Sequence, residues 1–407
     1  MTVEIFKPGN NESIDSASFL KQLDSGSKNI DAPFCDQRID ALNEIATTLL
    51  HSPMAAQAPQ ILALGFWLRK SAVKQIQRDL LPQLPGCYSV PRGLAFHLPP
   101  ANVDTLFAYS WALSFLAGNS NVVRLPSEMN PVADYLVSSI LECLCKRDMA
   151  ESQQFVFFDK TSDLVESISS IADLRVIWGG DAKVIAVSRY PVRPDGLSIG
   201  FSDRKSLSII SADAYANADE TTRRDVAQKF YNDLYWFDQL GCGSPRALIW
   251  VGDKGQHSND FYSMLQSVVV GKAERIETGI AISKFVFSNE MAGIGISNEV
   301  QRYSNELTVL NAEVQTGLLE NTHGGGILFD CQCKSVEEIA CLIQRNVQTI
   351  TNFGLSDAEM ASLKSVVNGA GGYRIVPIGE ALSFSPIWDG MNLIGMFTRL
   401  VAVDSGR

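Results

Sequence analysis

Between residues 93 and 178, short apolar runs alternate with stretches whose apolar residues recur at helical spacing. This alternation constrains the fold more than any single motif. Gly93 to Leu98 is a short strand-like run, closed by Pro99-Pro100-Ala101-Asn102. Val103, Leu106, Phe107, Ser110, Leu113, Ser114 and Ala117 then mark one face of a helix, and Gly118-Asn119 ends it as a helix terminus expects. Asn121 to Leu125 reads as a strand, and Pro126-Ser127-Glu128 as the turn into a helix carrying Val132, Tyr135, Leu136, Ser139, Ile140 and Cys143. Gln154 to Phe158 and Leu174 to Trp178 are two more strands, with a helical face of Leu164, Ile168 and Ile171 between them. Strands and helices in strict alternation build a parallel sheet, so the chain is of the α/β class. The last of these strands runs into Gly179-Gly180-Asp181. A glycine pair at the carboxyl end of a parallel strand is a place where such sheets bind nucleotides. The full G-x-G-x-x-G is absent, and a simple tight turn is the competing explanation.

The second half repeats the mixture. Leu197 to Phe201 and Ser206 to Ser211 are strand-like, and a long helical stretch, Asp219 to Leu240, leads into Gly241-Cys242-Gly243-Ser244-Pro245. The strand Ala247 to Val251 follows, then a helix over Phe261 to Val270, a strand over Gly326 to Phe329 and a helix over Val336 to Ile343. Val347 to Ile350 and Tyr373 to Val376 are further strands. Two glycines around Cys242 leave its sulfur uncrowded and let a substrate approach the backbone. A thiolate there is a strong nucleophile, and its own N–H can face a developing oxyanion. The competing explanation is a small core cysteine at a helix-to-strand turn.

With 407 residues, the chain has room for two or three domains. Residues 1–35 read as a loosely packed N-terminal arm and 36–211 as a nucleotide-binding domain. Residues 212–365 read as a catalytic cysteine domain, and 366–407 as a segment packing back on the nucleotide-binding domain. The active site is expected in the cleft between the two α/β domains. A net charge of −11 and the lack of a long basic run argue against a nucleic-acid partner, without excluding nucleotides. Eight cysteines with no secretory leader fit reduced thiols in the cytoplasm. The longest apolar stretch, Leu106 to Ala117, is too short to span a bilayer. The pairs Cys143/Cys145 and Cys331/Cys333 lack zinc spacing, so no metal is expected.

Three of these segments, in this order, resemble the aldehyde dehydrogenase superfamily: the strand ending in Pro100-Ala101-Asn102, the Ala117-Gly118-Asn119 helix end followed by Val122 to Glu128, and Gly179-Gly180. Val176-Ile177-Trp178-Gly179-Gly180-Asp181, Cys242-Gly243-Ser244-Pro245, and Arg374 to Gly379 followed by Trp388-Asp389-Gly390 narrow the resemblance. They resemble the acyl-CoA reductase branch, the LuxC-like long-chain fatty acyl reductases. The matching pieces run from about residue 90 to residue 401.

The resemblance implies that Cys242 attacks an acyl thioester, with Asn102 and the Cys242 N–H stabilising the oxyanion. It places the cofactor against Arg124, Ser127, Glu128, Gly179 and Gly180. Asn102 also suits a plain helix N-cap. The superfamily's ribose-binding lysine falls on Leu125; Arg124 and Ser127 beside it favour a 2′-phosphate and hence NADPH, whereas Glu128 favours NADH. Aldehyde oxidisers of the superfamily carry a glutamate in the stretch 197–206, and here there is none, although Asp203 is present. The expected activity is therefore reduction of an acyl thioester, probed against aldehyde oxidation, acyl transfer or a silent binding subunit as alternatives. Acyl-CoA or another acyl thioester, an acyl-activating synthetase and further copies of the chain are the expected partners.

Overall fold

The computed structural model describes residues 2–26, 30–82, 84–100, 103–126, 128–159, 162–272 and 276–403. Its contacts divide the chain into two compact units, Met1–Ser202 with Phe384–Arg407, and Asp203–Ser383.

The first unit contains β1 (Thr2–Ile5), β2 (Glu12–Asp15), β3 (Cys87–Pro91), β4 (Leu94–Leu98), β5 (Ser120–Arg124), β6 (Gln153–Phe157), β7 (Leu174–Trp178) and β8 (Leu197–Phe201). Seven of them form one sheet in the order β2-β1-β6-β5-β4-β7-β8. The strands from β6 to β8 are parallel, while β1 and β2 add antiparallel pairs at one edge. From β4 the chain moves outward through β5 and β6, then returns to the other side of β4 with β7 and β8. The direction of travel therefore reverses between β4 and β7, and parallel sheets bind ligands outside the carboxyl ends at such a reversal. Every residue of β4 and of β7 is buried, as expected of strands covered on both faces. The helix Leu106–Leu116 is buried along its whole length, which explains why its apolar residues do not stop at one stripe.

The second unit contains β9 (Lys205–Ser211), β10 (Pro245–Val251), β11 (Ser297–Arg302), β12 (Thr308–Ala312), β13 (Ile327–Cys333), β14 (Val347–Phe353) and β15 (Arg374–Pro377). They form a seven-stranded sheet in the order β11-β12-β13-β10-β9-β14-β15, parallel except for the β11–β12 pair. Where a helix is expected over Val336 to Ile343, a 3-10 helix runs over Val336–Cys341. At the C-terminus, β16 (Ile387–Trp388), β17 (Met391–Asn392) and β18 (Thr398–Ala402) belong to the first unit, where β18 pairs with β3.

Three expectations about division need correction. The expected boundary at 211/212 falls at 202/203, because β9 hydrogen-bonds to β10 and β14 and so opens the second sheet. Residues 366–407 are not one segment: β15 pairs with β14 in the second unit, and only Phe384 onward joins the first. Residues 2–26 are not a loose arm, since β1 extends the first sheet and Val3, Ile5, Phe19 and Leu23 are buried in its core. No helix among the described residues is long and apolar enough to cross a membrane.

Candidate active site

Cys242 lies at the amino end of β10, in a hydrogen-bonded turn closed by the Ser244 N–H donating to the Gly241 carbonyl at 3.0 Å. A second turn precedes it, with the Leu240 N–H donating to Phe237 O at 2.7 Å. Its central residues, Asp238 and Gln239, both have positive φ (49° and 60°), the pattern of a type I′ turn. Non-glycine residues in that region cost energy and persist only where the surroundings hold them. Here the holding group is the Gln239 side chain, which is fully buried. Its amide donates to Pro245 O and Ile327 O, both at 2.8 Å, and its oxygen accepts from Gly326 N at 2.9 Å. One side chain thus ties the approach to the cysteine to the starts of β10 and β13. The helix expected to run to Leu240 accordingly ends at Tyr235.

Two further contacts fix the turn. Ser206 Oγ, at the start of β9, donates to the Cys242 carbonyl at 2.6 Å and accepts from Thr349 N at 3.1 Å. The segment 379–383 crosses on the other side. A Cβ on Gly243 would lie 2.6 Å from Ala381 O, so glycine is required there by a passing carbonyl. Asp233 holds that segment, accepting from Gly379 N at 2.7 Å and Ala381 N at 2.9 Å, while Arg374 donates to Ala381 O at 2.9 Å. Burial pushes the Asp233 carboxyl up to about 7, against the pull of its two backbone donors.

Cys242 is partly buried and not disulfide-bonded. Two cations lie within electrostatic reach of it. Arg246, anchored by its bond to His323 O at 3.0 Å, is held below its ordinary value by burial, and Cys242 opposes that shift. Lys205 is lowered by burial and by Arg246, again with Cys242 opposing. Nearby positive charge favours the thiolate form of a cysteine and so its reactivity.

Of the residues expected to hold a cofactor, Arg124 ends β5 and Gly179 and Gly180 follow the carboxyl end of β7 in the first unit. Gly180 caps the helix Asp181–Ser188, and Gly179 has φ 150°. A Cβ on Gly179 would lie 2.7 Å from Lys183 Cδ, so its absence makes room for a side chain of the same turn. Lys183 Nζ donates to Trp178 O at 2.8 Å, Pro99 O at 3.0 Å and Leu98 O at 3.1 Å. Arg124 donates to Phe158 O at 3.0 Å and lies over the Phe158 ring. Glu128 is exposed, and Leu125 is buried. Asn102 and Ser127 lie outside the described residues.

The sequence matches the family described as acyl-CoA reductase (LuxC) over residues 78–400. The chain belongs to that family. No curated protein matches it significantly. Solved structures of aldehyde dehydrogenases share its fold. The NAD-dependent aldehyde dehydrogenase from Sinorhizobium meliloti is 13% identical, with a TM-score of 0.67 over 100% of this chain and 92% of that one. The glyceraldehyde-3-phosphate dehydrogenase from Methanocaldococcus jannaschii, complexed with NADP, is 10% identical, with a TM-score of 0.65 over 98% and 97%. The NAD-dependent benzaldehyde dehydrogenase from Corynebacterium glutamicum is 13% identical, with a TM-score of 0.65 over 98% and 95%.

Within this acyl-CoA reductase family member, the structure adds groups that the motifs left unassigned. Gln239 and Arg246 flank Cys242 along the chain, Ser206 bonds its carbonyl, Asp233 holds the segment against Gly243, and Lys183 occupies the strand ends beside Gly179. Gln239 lies three positions before Cys242, at the end of the stretch read as a helix to Leu240, and a polar residue there was the one local signal. Behind the glycine pair, His97 bonds Ser110 Oγ at 2.8 Å and Asn121 Oδ1 at 3.0 Å, and burial pushes it down to about 4. It is a neutral core histidine that positions strands. Trp388 packs against Tyr109 and Trp178, both with ring centroids at 5.3 Å, within the first unit.

Proposed function

We propose that this chain reduces an acyl thioester to the aldehyde through an acyl-cysteine formed on Cys242. The observation that carries the reading is a half-buried Cys242 in a clamped turn, with Arg246 and Lys205 within electrostatic reach of it. Cys242 thiolate attacks the thioester carbonyl, and its own N–H together with Asn102 is proposed to stabilise the oxyanion, a contribution of about 3–4 kcal/mol per donor. The coenzyme A thiolate leaves without a general acid, being a stable anion, and takes a proton from solvent. Residues at the β4–β7 strand ends would hold a reduced nicotinamide, which would supply the hydride that the acyl carbon accepts. The fit there rests on the glycine pair and on two cations, Arg124 and Lys183, with NADPH favoured over NADH. Cys242 is then expelled as thiolate when the thiohemiacetal collapses, and the aldehyde departs.

Thioester reduction is favoured over aldehyde oxidation because the 197–206 stretch offers no glutamate to activate water, and Asp203 is exposed beside Lys205. The helix Thr278–Gly293 turns Ile282, Phe285 and Val286 outward with more than half of each exposed, which supports an apolar, fatty acyl group as substrate. The test is nicotinamide oxidation with acetyl- to palmitoyl-CoA, with the aldehyde captured as its hydrazone. Turnover that rises with chain length and vanishes in Cys242→Ala supports the reading. Fast aldehyde oxidation by water without coenzyme A would replace it with the oxidising alternative.

A further inference from the structure

We propose that Lys183 is the fixed counter-charge for the diphosphate of the nicotinamide dinucleotide, an ammonium seated on strand-end carbonyls where the first sheet reverses direction. The inference rests on the reading above only in assuming that a dinucleotide binds.

Lys183 sits in the first turn of the helix Asp181–Ser188, where the helix dipole already presents positive charge. A lysine is disfavoured there unless something negative joins it. Its Nζ is solvated by three carbonyls, Leu98 and Pro99 at the end of β4 and Trp178 at the end of β7. Carbonyl dipoles stabilise an ammonium without cancelling its charge. Among the described residues, the charged group that acts on it is another cation, Arg124 at the end of β5, which is itself faced by the Asp159 carboxylate. His97 on β4 is held neutral, Arg175 on β7 is bonded to Ser198 and to Tyr190 O, and Asp181 on the same helix is exposed. The chain also makes room for this side chain: Gly179 lacks the Cβ that would collide with its Cδ. Two desolvated cations therefore stand at the point where an open parallel sheet receives a nucleotide, in a chain of net charge −11.

The arrangement carries a pH signature. Burial and Arg124 lower Lys183 to about 8. A bound anion raises it again, so binding takes up a proton near pH 8, and affinity falls as the pH climbs above that value.

The test is equilibrium binding of NADPH and of NADH without any acyl substrate, by fluorescence and by calorimetry in two buffers of different ionisation enthalpy. Wild-type protein is expected to bind both dinucleotides about 10-fold more weakly at about pH 9.5 than at about pH 7, and to take up about half a proton at about pH 8. Lys183→Met is expected to bind both about 10-fold more weakly at neutral pH and to lose the pH dependence, with Lys183→Gln as a second variant should methionine not fold. The wild-type proton uptake needs no variant at all. PH-independent wild-type binding without proton uptake would overturn the inference, as would wild-type affinity in a folded Lys183→Met. A loss confined to NADPH overturns it too, because that places the charge at the 2′-phosphate. If neither dinucleotide binds the wild type, the reductase reading falls with it; normal dinucleotide binding with a silent Lys183 removes only this inference.

Discussion

The two sheets present their candidate chemistry at opposite ends. In the first unit, Arg124, Trp178 and Gly179 stand at the carboxyl ends of parallel strands, where an open sheet exposes a crevice. In the second, Cys242 precedes β10 and is held by Ser206 at the start of β9, so the cysteine turn sits at the amino ends. A carboxyl-end site can be left open for a ligand to complete. The amino-end turn is instead completed by the chain itself, through Gln239, Ser206 and the segment held by Asp233. One glycine from each region shows the contrast. Gly243 yields to a backbone carbonyl that cannot move alone, and Gly179 yields to the flexible stem of a lysine.

If the comparison is right, Gly243→Ala should be the most damaging of the paired changes. With Ala381 O only 2.6 Å from the new Cβ, the turn or the crossing segment must shift. Alkylation of Cys242 by iodoacetamide, followed by intact mass, is expected to slow by roughly 100-fold, the scale on which small misplacements act in active sites. Gly179→Ala should leave alkylation untouched and weaken dinucleotide binding instead. Equal effects of both changes on both assays would erase the distinction.

Gln239→Leu comes next. It leaves Pro245 O, Ile327 O and Gly326 N without their buried partner, and two left-handed residues without their clamp. Urea unfolding is expected to show a loss of about 2–4 kcal/mol, consistent with several unsatisfied buried groups. Unchanged stability would mean that the turn holds itself.

The third effect is a slope. With its folded value near 7 against an ordinary 3.8, Asp233 keeps its proton in the native state where the unfolded chain has lost it. Its contribution to stability is full below about pH 4 and declines as the pH rises to about 7. The stability difference between wild type and Asp233→Asn should therefore move in favour of the variant by about 2–4 kcal/mol across that window. A difference that does not change with pH would show that the two backbone donors keep Asp233 ionised throughout.

Local pattern made much of this legible. The strands from β4 to β8, the cysteine turn and the glycine pair all announce themselves within a few residues of sequence. What stayed hidden depends on partners far along the chain. Gln239 matters because its backbone is left-handed and because Ile327 lies 88 residues away. Lys183 matters because Leu98 and Trp178 end adjacent strands. The strands β1 and β2 escaped because they are four residues each and, in β2, mostly exposed, so they lack an apolar run. The unit boundary escaped because β8 and β9 are separated by only three residues, which gives no compositional break.

The central claim is that Cys242 accepts the acyl group. Intact-mass spectrometry after incubation with acyl-CoAs, in the absence of nicotinamide, tests it directly. The account predicts a covalent acyl adduct on the wild-type protein that is missing from Cys242→Ala and discharges when NADPH is added. A protein that binds NADPH yet forms no adduct with any acyl-CoA would contradict it.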